Sequence, residues 1–265
     1  MKTRIAALLI MVTSSLLCIG QENINGGFTQ CIAMQYDYKF GEIDSLSKRT
    51  RIENKYNSLG KIIVEKDHDF FNYKDIKYEY DSFGNVIKKT MNGHLSSEIS
   101  KIEIFRYTHN LLIEEVVYNK KGEVFLKYFL TYNDKSTLIE NKCLYADGTI
   151  FLIFKYSYDA EGLKTENVFS STGELLNKFV EKFDGNGLLK ESVGYFPSGE
   201  LMYKRTYEYD INGNKSKDII YNVKDGSISK TTVYQYNSMN NLIEFVDYNE
   251  LNEPVMKIVY SYSKE

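Results

Sequence analysis

The chain repeats itself, and the period limits the fold more than any other feature. Aligned on the second aromatic of a Tyr-x-Tyr-Asp-x-x-Gly motif, it has anchors at Tyr56, Tyr80, Tyr107, Tyr132, Tyr158, Phe183, Tyr209, Tyr236 and Tyr262, spaced 24 to 27 residues apart. The clearest copies are Tyr78-Glu-Tyr80-Asp-Ser-Phe-Gly84, Tyr156-Ser-Tyr158-Asp-Ala-Glu-Gly162 and Tyr207-Glu-Tyr209-Asp-Ile-Asn-Gly213. In the copies at Tyr107 and Tyr132 the Gly is replaced by Leu111 and Ser136. A unit this short cannot bury its own apolar face, so the units must stack on one another.

Half a period after each motif stands a second turn signal, as in Asn119-Lys-Lys-Gly122, Ser170-Ser-Thr-Gly173 and Phe196-Pro-Ser-Gly199. Two turns per unit leave room for two antiparallel strands of roughly nine residues, or about 17 strands in all. Asp or Asn at the first turn position and Gly three residues later fit a type I turn closed by a residue of positive φ. Tyr, Phe, Val, Ile and Thr dominate between the turns, and these residue types suit strands. The expected fold is all-β: tandem antiparallel hairpins forming one long twisted, coiled or barrel-like sheet.

The turn type predicts a register. Tyr209 should lie opposite Lys215, Tyr207 opposite Lys217 and Arg205 opposite Ile219. Likewise Tyr236 should face Leu242, Tyr234 face Glu244 and Thr232 face Val246, while Phe183, Glu181 and Phe179 face Leu189, Glu191 and Val193. One sheet face then collects the aromatics and aliphatics. Eight residues past each anchor, the row Val64, Lys88, Glu115, Glu140, Glu166, Glu191, Lys217 and Glu244 would run through that face. Charges there need solvent or partners, so the face is expected to be only partly dry.

The first residues obey other rules. Lys2 and Arg4 precede a short apolar run from Ile5 to Leu17, well under the ~20 residues of a membrane-spanning helix. That is the pattern of a secretory signal peptide, with cleavage expected after Gly20. Residues 1–20 are therefore assigned to the signal, 21–50 to one or more lead-in strands and 51–265 to the repeat domain, with no transmembrane segment after cleavage. The protein is expected to be exported to the periplasm, the outer-membrane surface or the exterior. Lipidation at Cys18 is the weaker alternative, because Leu17 stands where a small residue is preferred. A net charge of −3 with Lys and Glu interspersed gives no electrostatic footprint for nucleic acid.

Tyr-x-Tyr-Asp-x-x-Gly at this spacing resembles the YD repeat of the RHS (rearrangement hotspot) family, and the resemblance runs from about Arg51 to Glu265. It implies a continuous strand-turn-strand sheet and, in that family, links to carbohydrate binding and to toxin shells. The chain ends inside a repeat at Tyr260-Ser-Tyr262, without an RHS core or self-cleavage motif, so toxin delivery is not implied. The Gly-Glu-Leu copies near Phe169 and Tyr195 also resemble MORN-like hairpins of the kind in YwqK-type antitoxins, which imply the same stacked architecture.

No catalytic residues, metal ligands or cofactor are expected. Catalysis needs unlike polar groups to converge, whereas here the polar groups recur in copies. His68, His94 and His109 fall around turns, and Asp81, Asp159 and Asp210 suit turn stabilisation. The binding candidates are Tyr156, Tyr158, Tyr207, Tyr209, Tyr234 and Tyr236, with Glu166, Glu191 and Glu244, because Tyr pairs an apolar body with a polar tip. The same rings could equally be cross-strand packing pairs. The expected function is a non-catalytic scaffold binding glycan or protein; the alternative is an accessory or immunity-type protein of a bacterial toxin system. Cys31 and Cys143 probe the architecture: a disulfide would indicate closure, and free thiols an open or loosely coiled sheet.

Overall fold

The computed structural model describes residues 23–68, 73–93 and 101–264. The expected signal peptide, with Cys18, and His94 lie outside the described residues. Every regular element among the described residues is a β-strand. The strands are β1 (Gln30–Lys39), β2 (Glu42–Tyr56), β3 (Ile62–Asp67), β4 (Lys74–Tyr80), β5 (Val86–Gly93) and β6 (Lys101–Thr108). Then come β7 (Leu111–Asn119), β8 (Val124–Tyr132), β9 (Leu138–Tyr145), β10 (Ile150–Tyr158), β11 (Leu163–Ser170) and β12 (Leu175–Phe183). The chain finishes with β13 (Leu189–Tyr195), β14 (Leu201–Tyr209), β15 (Lys215–Tyr221), β16 (Ile228–Tyr236), β17 (Leu242–Tyr248) and β18 (Pro254–Ser263).

Each strand pairs antiparallel with the next, and β1 pairs with both β2 and β18, so the 18 strands close into a barrel. At the seam Cys31 lies opposite Asn54 on one side and Tyr262 on the other. Closure leaves no unpaired sheet edge. Along β1, Cys31 (1% exposed) and Ala33 (0%) alternate with Ile32 (42%), which identifies the first two as inward-facing.

The motif turns form as the sequence predicts. Asp210 Oδ1 accepts from the backbone N–H groups of Asn212 and Asn214, and Gly213 takes φ 80° while its N–H donates to the Asp210 carbonyl. Where the Gly is missing, Ser136 takes the positive φ instead, and His109 and Asn110 make a tighter turn with both φ values positive. All the motif turns lie on one rim and the half-period turns on the other.

The register departs from expectation one step beyond the turn. Tyr209 does face Lys215, Tyr236 faces Leu242 and Phe183 faces Leu189. A bulge then follows, so Tyr207 faces Asp218, Tyr234 faces Phe245 and Glu181 faces Ser192, with Arg205 opposite Ile220, Thr232 opposite Asp247 and Phe179 opposite Gly194. An extra residue on one strand turns every later side chain to the other face. In six units the residue eight past the anchor therefore points outward and the ninth points in. The exceptions are the Tyr158 unit, which has no bulge, and the Tyr107 unit, whose loop is one residue tighter.

Two apolar patches line the inner wall. One joins β17, β18, β1 and β2, around Phe245, Ile258, Ala33 and Ile52; the other spans β7 to β12, around Tyr128, Cys143, Phe154, Val168 and Phe179. They share no residue, so the interior is not one central core. Cys31 belongs to the first and Cys143 to the second, and both are buried free thiols. This corrects the expectation that free thiols mark an open sheet: the barrel is closed, but the two cysteines stand half a circumference apart.

Candidate functional site

The inner wall carries the polar chemistry. Reading around one level, cross-strand partners are Asn54–Glu65, Tyr78–Lys89, Phe105–Glu115, Tyr156–Glu166, Glu181–Ser192, Tyr207–Asp218 and Tyr234–Phe245. In four of these pairs, those of Tyr78, Phe105, Tyr156 and Tyr207, an aromatic ring two residues before the anchor stands opposite an ionisable group.

Of the predicted binding residues, the structure brings Tyr207 and Tyr234 together. Lys215 Nζ lies 5.7 Å from the Tyr207 ring centre and 4.9 Å from that of Tyr234, and the Arg205 guanidinium stands 5.6 Å from the Tyr207 ring. Asp218 is buried between them, accepting from Arg205 Nε at 2.6 Å and Nη2 at 2.5 Å, with Lys215 at 3.5 Å. Burial pushes the Tyr207 phenol up to about 12 and raises that of Tyr234. Burial also lowers Lys215, against the pull of Asp218.

Tyr156 and Glu166 face each other on β10 and β11. Burial raises the Glu166 carboxyl to about 7, and Glu166 Oε1 is enclosed without a hydrogen-bond donor. Glu115, the other inward residue of the charge row, is likewise raised by burial to about 7, with Glu103 adding repulsion.

Tyr158, Tyr209 and Tyr236 stand at the motif rim. The hydroxyls of Tyr209 and Tyr236 donate to the Leu189 and Lys215 carbonyls of the preceding unit, and those of Tyr80, Tyr107 and Tyr132 do the same to Ile62, Val86 and Leu112. These carbonyls lie just past the ends of their ladders, so the phenol fulfils an otherwise unmet acceptor. Tyr158 is 47% exposed.

Glu191 and Glu244 were expected on the aromatic face and are not there. The bulge turns both outward, where they pair with Lys204 at 2.9 Å and Lys257 at 2.6 Å. The outer face carries many such pairs, including Lys88–Glu79 at 2.7 Å and Arg106–Glu114 at 2.6 Å. Lys127, Lys178, Lys204 and Lys257 sit in mid-strand on this face.

Sequence reasoning missed Arg205, Lys215 and Asp218, and a second inner cluster. There Phe179 and Tyr203 stack with ring centres 6.2 Å apart, and the Tyr203 hydroxyl lies 2.9 Å from Ser192 Oγ. Gly194 makes this possible, because a Cβ there would come within 2.5 Å of the Tyr203 ring. Lys164 donates to Glu181 at 2.8 Å beside them. The available signal was the residue nine past each anchor, which becomes visible only once the bulge is known.

His68 sits 3.1 Å from Glu53 and tilts against Tyr73, while His109 lies in its turn. Among the described residues no three His, Cys, Asp or Glu side chains are grouped to hold a metal ion, and no helix is long and apolar enough to cross a membrane.

No protein family and no curated protein matches the sequence. Solved structures with a related backbone include a porin-like protein from Bacteroides uniformis, 10% identical at a TM-score of 0.47, covering 90% of this chain and 98% of that one. A porin-like protein from Bacteroides vulgatus is 14% identical at a TM-score of 0.41, covering 71% and 94%. A TcdB2–TccC3 structure is 11% identical at 0.28, with 86% of this chain matched to 14% of that chain. Likenesses this distant assign the barrel to no family.

Proposed function

We propose that this chain is an exported, non-catalytic barrel that binds glycan along its inner wall. The reading rests on one observation above the others: Tyr207 and Tyr234 flank the Arg205–Asp218–Lys215 cluster on a single wall. Half-buried rings offer flat apolar surface to a sugar, and adjoining charged groups offer hydrogen bonds to its hydroxyls. The stacked Phe179–Tyr203 pair extends the same chemistry. The basic-then-apolar start of the sequence supports export.

Two further features support the reading. A lipid-embedded barrel needs an outward apolar band about 25 Å tall, and mid-strand lysines interrupt such a band here. The inner carboxylates recur at equivalent repeat positions or are held by Lys and Arg, which suits binding better than acid–base chemistry.

A glycan array probed with the mature chain tests the proposal. Binding should appear and be lost in the Tyr207→Ala plus Tyr234→Ala variant. No glycan signal, together with a stoichiometric protein partner on co-purification, would overturn it in favour of the toxin-accessory reading.

A further inference from the structure

A second cavity chemistry lies at the motif rim, away from Tyr207 and Tyr234. The chain before β1 crosses this rim: Asn23 bridges to Lys61, Ile24 N–H donates to the Gly60 carbonyl, and Asn25 exchanges hydrogen bonds with the buried Asn241 side chain. Its first described residue, Asn23, lines a cavity of about 200 Å³ together with residues of β3, β4 and β5 and of their adjoining turns. Ile62 and Val86 supply apolar lining, Tyr78 and Tyr80 supply rings, and Glu65, Lys61 and Asn23 supply polar groups.

The internal bonding of these groups restricts what they can take. The Tyr78 hydroxyl donates to Glu65 Oε2 at 3.1 Å, and burial raises the Glu65 carboxyl. Lys61 donates to the Gly84 carbonyl at 2.6 Å and stands 5.4 Å from the Tyr80 ring centre. Gly84 is required for that placement, since a Cβ there would fall 2.0 Å from Lys61 Nζ. Lys61 and Glu65 give the lining one group of each sign, so a ligand of either charge is attracted by one and repelled by the other. A neutral ligand with many hydroxyls does find donors, an acceptor and ring faces together. The volume is below the ~300 Å³ at which drug-sized sites begin, which limits it to one small ring.

We propose that the cavity lined by Asn23, Lys61, Glu65, Tyr78 and Tyr80 binds a single neutral sugar ring. The inference rests on the glycan reading but places a site distinct from the inner-wall cluster. Three probes test it on the mature chain by amide chemical-shift titration: N-acetylglucosamine, methyl α-glucoside and methyl β-galactoside, with glucosamine and glucuronate as charged controls.

At least one neutral probe should give saturable shifts confined to residues 61–65 and 78–86. Glu65→Gln and Lys61→Met should each weaken it at least tenfold while the barrel stays folded, and the Tyr207→Ala plus Tyr234→Ala variant should leave it intact. Shifts confined to β14–β17, tighter binding of a charged control, or no saturation by any neutral probe would each overturn the site. If the neutral probes fail while array binding still depends on Tyr207 and Tyr234, only the cavity falls. If the cavity binds and the array signal ignores Tyr207 and Tyr234, only the inner-wall site falls.

Discussion

The Tyr209 hydroxyl donates a 2.8 Å hydrogen bond to the backbone carbonyl of Leu189, tying one motif unit to the unit before it. The same bond recurs at Tyr80, Tyr107, Tyr132, Tyr236 and Tyr262. Phe183 has no hydroxyl; there the backbone N–H of Phe183 donates to the Gly162 carbonyl. Tyr209→Phe removes the phenol and keeps the ring, so it should destabilise the barrel by about 1 kcal/mol. Denaturant unfolding checks this. Phe183→Tyr should cost nothing comparable.

The inward Glu115 and Glu166 make stability depend on pH. Both carboxyls are raised by burial from 4.5 to about 7, so the folded chain holds these protons more tightly than the unfolded chain does. Their contribution is present at low pH and is lost as pH rises from about 4.5 to about 7. Glu166→Gln should therefore stabilise the protein at pH 8, by up to ~3 kcal/mol, and change little at pH 4. Melting curves of the wild type and variant at both pH values decide the matter; equal effects at both would refute the assignment.

Asp218 is almost fully buried and depends on Arg205. Removing one partner of a buried pair strands the other charge, so Arg205→Ala should cost about 3–5 kcal/mol. The double change Arg205→Met plus Asp218→Leu should recover much of that loss. A double-mutant cycle in urea measures both quantities.

Asn241 is fully buried and joins the segment preceding β1 to the last motif turn, by accepting from Asn25 N–H and donating to the Asn25 carbonyl. Asn241→Leu leaves both Asn25 groups without their partner. It should speed hydrogen exchange at Ile24 and Asn25 well before it affects β8 to β12, since the clasp spans only the seam.

Cys31 and Cys143 sit in matching places, each buried and opposite a tyrosine, Tyr262 and Tyr128. Burial pushes the Cys31 thiol up to about 12 and the Cys143 thiol up to about 11. Thiolate is the reactive form, so alkylation at pH 8 should be slow until denaturant is added. Mass spectrometry should find both thiols free.

The period of the motif determined that the chain is all-β, that its unit is a hairpin, and that Asp or Asn with Gly makes the turn, because turn geometry and strand preference act within a few residues. It also placed Tyr156, Tyr207, Tyr234 and Glu166 among the candidates. Tertiary structure decided the rest. Whether position eight or nine faces inward depends on a bulge, and one residue of slip moved Glu191 and Glu244 outward while bringing Asp218 in. Closure depended on β1 meeting β18 across more than 200 residues, through partners such as Ala33 and Tyr260 that no local pattern links. The clustering of Arg205, Lys215 and Asp218 between two tyrosines follows from both.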